Sequence, residues 1–409
     1  MRNNKGFTLI ELLVAMGLFI IVIMITGKSF DTILAQTSKL FRSEESNIEG
    51  VLGLEMLRHD LQQTGVGLFT EAPPLTYIEA SSAPASTYND ATTHVPRALV
   101  TGDNLATTAI GNMSVASSVL TGTDYLAIKG TTLARNKAAQ KWSYLVRTGS
   151  TIAPNVWPSG SDNYIGGEKF VVLRKQFSTP PRTSIELNIP DSTLEFHLTS
   201  PAFDAYTSQG NAVFMTYGID DSSYRFPFNR SDYFVARTNS ASNMPAICAQ
   251  GTGVLYKASI NQSNGTINPV PLVDCVADMQ VVLGWDIDLD GTVDTWSNAG
   301  GTAVSGTGTT TQVQSALLQA NNDINDSTTL NIRNCLKVVK VYFVVQDGKI
   351  DRNYTSPSTI PYDESSGEAT LIGSGTSFPA VYTLASNMLN YRWKVYRVIV
   401  RPKNLLANQ

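Results

Sequence analysis

Cysteine and histidine are scarce: three of each in 409 residues. Cys248, Cys275 and Cys335 form no C-x-x-C pair, so a zinc ribbon, a thioredoxin-like redox site and c-type haem attachment are unsupported. His59, His94 and His197 stand in unrelated contexts, without an H-x-x-x-H pair for a metal. There is no G-x-S-x-G nucleophile elbow and no P-loop lysine. Paired acids such as Asp220-Asp221 read as turn residues. Nothing here assembles an enzyme, and the chain is expected to be a structural or binding protein with no required cofactor. Charge is scarce too: 16% of residues are charged and the formal net charge is -4. A nucleic-acid partner is therefore disfavoured by overall electrostatics. Gly, Ser, Thr and Asn are plentiful, with 30 Gly and 18 Pro, as in turn-rich β proteins.

One long apolar run breaks this pattern. Phe7 to Gly27 is 21 residues, about 31 Å as a helix, close to the hydrocarbon thickness of a bilayer. Glu11 is its only charge. Arg2 and Lys5 precede it, which by the positive-inside bias holds the N-terminus in the cytoplasm and sends the rest across the membrane. Ile25-Thr26-Gly27 lacks the small-x-small pattern of a cleavable secretory signal. A segment apolar on every side does not read as a soluble core helix. A plain anchor leaves Glu11 unexplained, because an unpaired acid in lipid costs up to a few kcal/mol.

The stretch Gly6-Phe7-Thr8-Leu9-Ile10-Glu11-Leu12 resembles the processing motif of type IV prepilins and pseudopilins. The resemblance implies cleavage by a prepilin peptidase between Gly6 and Phe7, removal of leader residues 1–6, and methylation of the new Phe7 amine. It also implies a filament in which Glu11 meets the amine of a neighbouring subunit. A charge that is a liability alone then becomes a register pin between chains.

Beyond the membrane, Ile33, Leu34, Leu40, Phe41, Ile48, Val51, Leu52, Met56 and Leu61 recur at helical spacing. No proline interrupts them and Gly65 and Gly67 end the pattern, so a continuous helix over 7–65 is expected, with 7–27 transmembrane and the rest an amphipathic stalk packed on a head. Residues 66–409 read as that head, β-rich and periplasmic, with a candidate division into two subdomains near 245. The fold class is thus α+β. Expected strands are Tyr125 to Ile128, Phe170 to Leu173, Asp232 to Ala236, Cys275 to Trp285, Val338 to Val345 and Tyr391 to Val400. In the fifth, Val339, Val341, Phe343 and Val345 share one face, as for a sheet packed on the stalk. Ser81 to Thr123 and Ser297 to Thr329 read as exposed loops.

Asp286-Ile-Asp288-Leu-Asp290-Gly291-Thr292-Val-Asp294 matches the first nine places of a calcium loop: carboxylates at one, three, five and nine, a carbonyl at seven and glycine at six. Ser297 stands where the loop's bidentate glutamate would be. Calcium is the candidate ligand, and an acidic hairpin turning at Asp290-Gly291 is the alternative. Cys248 and Cys275 bracket a turn-rich loop and are the favoured disulfide, against a pairing with Cys335 or three reduced thiols.

The runs "CAQGTGVLYKASI", "PLVDCVADMQVVLGWDID", "IRNCLKVVKVYFVVQDGKIDRNYTSP" and "YRWKVYRVIVRPKNL" resemble the C-terminal part of PilW-type minor pilins. With the N-terminal helix the resemblance covers under half of the chain. It implies a minor pilin first held in the inner membrane, then at the pilus and cell surface. Its implied partners are other minor pilins, the major pilin, the inner-membrane assembly platform and a large tip adhesin, with a priming role in assembly. A type II secretion pseudopilin is the nearest alternative. A DNA-binding or adhesive pilin is another, resting on Lys337, Lys340, Arg392, Lys394, Arg397, Arg401 and Lys403 interleaved with Tyr391, Trp393 and Tyr396.

Overall fold

A single helix, Leu9–Gln62, runs for 54 residues, about 81 Å at 1.5 Å per residue. The computed structural model describes residues 8–71, 76–90, 95–113, 116–134, 136–149, 151–177, 183–188, 212–238, 244–319, 328–362 and 381–405. The helix starts at Thr8, whose side chain caps it, and stops at Gln63. The chain then turns through Gly65 and Gly67 at φ +81° and +65°, backbone angles that favour glycine.

The helix does meet the head, but of the expected apolar stripe only Leu61, among the described side chains, is buried there. Ile33, Val51 and Leu52 are exposed and Met56 is half-buried, whereas Gly50, Gly53, Leu54, Leu57, Asp60 and Leu61 form the buried face. The side chains of Leu34, Leu40, Phe41 and Ile48 lie outside the described residues. Two glycines one turn apart explain the shift. A Cβ on Gly53 would stand 2.8 Å from the carbonyl oxygen of Leu272, and one on Gly50 would stand 3.6 Å from Oη of Tyr396. Backbone can approach backbone at Gly53, so this face is the one that closes on the sheet.

The head is built on an 11-stranded antiparallel sheet. Its path runs through Leu99–Gly102, Tyr125–Gly130, Asn229–Thr238, Gly253–Ile260, the long strand Ile267–Trp285, Thr295–Asn298 and Ala303–Gly306. From Val276 onward the long strand also pairs with Leu336–Asp347, which pairs in turn with Arg392–Val400. Val339, Val341, Phe343 and Val345 enter the core beside Leu54, Leu57 and Leu61 of the helix, as their alternation predicts. A five-stranded sheet follows the order Thr151–Pro154, Trp142–Thr148, Ala212–Asp220, Lys169–Phe177, Thr183–Asn188. A two-stranded sheet joins Thr359–Pro361 to Val381–Thr383.

Two expectations are corrected. The sheet crosses residue 245 without a break: Asn229–Thr238 pairs with Gly253–Ile260 over six residue pairs, and Phe234 and Leu255 share one core. The head does not divide there. The segments read as loops also carry ordered elements, namely strands Leu99–Gly102, Ala109–Ile110, Ser117–Val119 and Ala303–Gly306, and helix Thr310–Leu318. These strands are too short to show alternation and form because a sheet edge is offered to them. The helix had a legible start in its capping box, Thr309 with Gln312.

The segment around 77–97 is tied to the sheet by buried ions. Lys129 Nζ lies 2.9 Å from Glu79 and 2.5 Å from Asp90, and Arg97 Nε lies 2.6 Å from Asp90. Arg230 donates to Glu79, Asn89, Asp232 and the carbonyl of Ala85. Three cations meet three carboxylates, Glu79, Asp90 and Asp232, and their hydrogen bonds offset the cost of burying them. Burial pushes the Asp90 carboxyl up, but Lys129 and Arg97 outweigh it and hold the group below its ordinary value.

The glycine contacts make a paired prediction for thermal unfolding of the full chain in detergent. Gly53→Ala is expected to destabilise by about 1 to 3 kcal/mol through overpacking. Gly50→Ala, whose Cβ finds ordinary contact distance, is expected to be neutral or stabilising by up to about 1 kcal/mol from helix propensity.

Candidate functional site

The helix from Leu9 to Phe30 has a mean hydropathy of 2.8 and is not buried by the rest of the chain. It is long and apolar enough to cross a membrane, and its apolar side chains need an apolar environment that the head does not supply. Gly6 and Phe7 lie outside the described residues.

Glu11 stands at the third position of this helix. Its Oε2 accepts hydrogen bonds from the Thr8 backbone N–H at 3.0 Å and from Thr8 Oγ1 at 2.9 Å, while Thr8 Oγ1 accepts from the Glu11 N–H at 3.4 Å. This is a capping box, which satisfies otherwise orphaned N–H groups at the helix start. The acid therefore has a local role that its position in an apolar run did not reveal, although the T-x-x-E spacing was there to be read. Both bonds fall on Oε2, and among the described residues no hydrogen bond reaches Oε1.

Where stalk meets head, Asp60 is buried and polar. Its Oδ2 lies 2.5 Å from Lys257 Nζ and accepts from the Tyr233 hydroxyl at 2.8 Å. A groove of about 650 Å³ runs beside this pair, lined on the helix by Leu52, Glu55, Met56 and His59 and on the head by Leu133 and Gln140. No sequence pattern links a helical aspartate to a lysine on a distant strand. Asp60→Ala leaves the Lys257 ammonium buried without its counterion, and a loss of about 3 to 5 kcal/mol in unfolding free energy is expected. Asp60→Leu combined with Lys257→Met is expected to recover most of it, since a buried pair can be replaced by apolar groups of similar size.

In the acidic loop, oxygens of Asp286, Asp288 and Asp294 lie within 4.8 Å of one another. The structure brings these three together, and Asp290 is not among them. Asp290 Oδ1 instead accepts from the Thr292 N–H and hydroxyl, at 2.8 and 2.6 Å, and the Thr292 bonds hold the Asp290 carboxyl below its ordinary value. Ser297, at the twelfth place, is buried and accepts from Trp285 Nε1 at 2.8 Å. Carboxylates this close repel unless they are compensated, and the loop already carries compensation. Asp286 accepts from the N–H groups of Asp290 and Gly291, both at 3.0 Å, and Lys337 Nζ is 3.2 Å from its Oδ2. Asp294 Oδ2 accepts from the N–H groups of Ile287 and Asp288. The Asp290 N–H pulls the Asp288 carboxyl down, but partial desolvation and the charges of Asp290 and Asp294 together raise it. Asp286, Asp288 and Asp294 are the residues that could hold a divalent cation.

Cys248 and Cys275 are bonded, with Cα atoms 5.0 Å apart. Cys275 has φ +55° and sits where the long strand leaves Gly253–Ile260 for Leu336–Asp347, so the bridge ties a bend in the central strand. On the loop-entropy argument it contributes roughly 3 to 4 kcal/mol. Cys335 is a buried thiol whose pKa burial pushes up to about 11.

The strands carrying the basic residues are neighbours, but several of those cations are compensated in place. Lys337 faces Asp286, Lys340 lies over the Trp296 ring at 4.1 Å, Lys394 is 3.0 Å from Asp347, and Arg392 is 3.5 Å from Asp351. This is not an open track for a phosphate backbone. His59 is exposed on the stalk, and His94 and His197 lie outside the described residues.

A family model of the prokaryotic N-terminal methylation motif matches residues 1–27. Together with the membrane-length helix Leu9–Phe30 that it overlaps, this match points to membrane anchoring of the type IV prepilin kind. A second model, of the type IV pilus-assembly protein W, matches residues 232–404. Both matches are consistent with a PilW-type type IV pilin, and the matched families are structural pilus components that work with other pilus proteins and a prepilin peptidase. No curated protein and no solved structure matches it.

Proposed function

We propose that this protein is a minor pilin that joins other minor pilins at or near the tip of a type IV pilus and helps to start its assembly. The observation that carries the reading is the exposed apolar helix beginning at the Thr8–Glu11 cap. Before assembly the helix crosses the inner membrane with the head in the periplasm. Prepilin peptidase cuts after Gly6 and the Phe7 amine is methylated. The platform then moves the helix from lipid into a bundle of stalks, where the Phe7 amine of a neighbouring subunit meets Glu11. Oε1 of Glu11, which takes no hydrogen bond among the described residues, receives it while Oε2 keeps the cap. The match to the pilus-assembly family supports this reading over a secretion pseudopilin. A large tip adhesin is a further partner within the same reading.

Glu11→Ala is expected to leave cleavage intact and to lower the amount of protein in sheared pili by more than about tenfold, the change that follows from losing 1.4 kcal/mol of contact energy. Immunoblots of membrane and pilus fractions measure both. Wild-type amounts of the variant in pili would refute the role of Glu11.

Calcium enters the same reading as a stabilising ligand of Asp286, Asp288 and Asp294, with no part in assembly chemistry. At a hundredfold excess over its Kd it is expected to add about 2.7 kcal/mol to unfolding. Identical melting curves in calcium and in chelator would remove it.

A further inference from the structure

The outer face of the main sheet, opposite the stalk, carries a small flap: Thr359–Pro361, Tyr362 and the paired strand Val381–Thr383. Ile360, Tyr362 and Tyr382 pack on Ala277, Val282, Tyr342 and Val344 of the sheet. A polar tie at the centre of this contact is Tyr362, whose hydroxyl donates to Asp278 Oδ2 on the long strand. Both residues are buried, at 2% and 4% exposure. The other oxygen of Asp278 accepts from Gln280 Nε2 at 3.1 Å.

The surroundings of Asp278 are acidic or phenolic. Asp124, fully buried at the start of the Tyr125–Gly130 strand, accepts from the N–H groups of Asn104 and Val281 at 2.9 and 2.7 Å. Half-buried Asp103 lies beyond it, and the charges of Asp103 and Asp278 both act on Asp124. The flap contributes Tyr362 and Tyr382. The neighbouring strand contributes Tyr342, edge-on to Tyr362 with ring centroids 6.1 Å apart. Lys340, the cation on that face of the neighbouring strand, pairs in register with Val282, four residues along from Asp278. That separation is about 13 Å at 3.3 Å per residue, and the Lys340 ammonium is engaged over Trp296. Among the described residues, then, no ion pair forms at Asp278.

A carboxylate buried in such a place loses hydration that hydrogen bonds from a phenol and an amide only partly replace. Lifting the flap would return water to it. We propose that Asp278 and Tyr362 form an acid-set latch: with Asp278 protonated the flap stays closed on the sheet, and with Asp278 ionised the flap opens more readily.

Burial pushes Asp278 up to about 6, against the hydrogen bonds from Tyr362, Gln280 and the Met279 N–H, whereas a solvated aspartate titrates near about 3.9. The closed flap therefore holds a proton that the open flap releases. Closure is strongest below about pH 4 and is progressively lost as pH rises through about 6.

Hydrogen exchange of the full chain in detergent, expressed as protection factors that remove the intrinsic pH dependence, reads this directly. For flap amides within 359–362 and 381–384, protection is expected to fall about tenfold between about pH 5 and about pH 7, from these two titration points. Amides of Val339 to Val345 serve as the reference and are expected to hold steady. Asp278→Asn is expected to flatten the flap profile. Tyr362→Phe, which removes the donor and keeps the ring, is expected to lower flap protection at every pH. A flat wild-type profile, or an undiminished tenfold fall in Asp278→Asn, would overturn the proposal. Should Asp278→Asn fail to fold, the wild-type profile still decides.

Discussion

The structure turns on how one helix is shared between two solvents. Its first part, Leu9 to Phe30, is not buried by any of the described residues, and its apolar side chains suit lipid or a bundle of other apolar helices. Its last turns are locked into the head by Gly53 against Leu272 and by Asp60 against Lys257 and Tyr233. Because the helix is continuous from Leu9 to Gln62, whatever holds its first part also places the head. The Thr8–Glu11 cap lies at the front end of that lever, where a charge can mark register without burying an unsatisfied group.

The head suits this arrangement by being one body. Its central sheet draws strands from both sides of residue 245, and the segment matched by the pilus-assembly family begins at Asp232, inside a strand that also pairs with Tyr125–Gly130. The family segment is therefore not a self-contained unit in this chain. Strands before it complete its sheet, and the Glu79, Lys129 and Arg230 cluster fastens residues 77–97 to those strands. Within the same sheet the Cys248–Cys275 bridge ties the bend of the central strand.

Much of this was legible in the sequence where the signal is local. The apolar run, the long valine-rich strands and the glycines closing the helix all act over a few residues, and each stands where its pattern placed it. What stayed hidden depends on partners far away in the chain. The apolar stripe misplaced the buried face of the stalk because Gly50 and Gly53, which carry no hydrophobic signal, set the closest approach. Short strands such as Ser117–Val119 take their conformation from neighbours rather than composition. In the acidic loop, spacing located three converging carboxylates but could not show that Lys337 and backbone N–H groups already answer their charge.

The central claim is that the exposed helix leaves lipid for a filament, starting from a processed N-terminus. Intact-mass and N-terminal peptide spectrometry of this protein recovered from sheared pili tests it most directly. The account predicts a chain beginning at Phe7 with a methylated amine, present in the pilus fraction. Recovery only from membranes, with Met1 to Gly6 still attached, would contradict it.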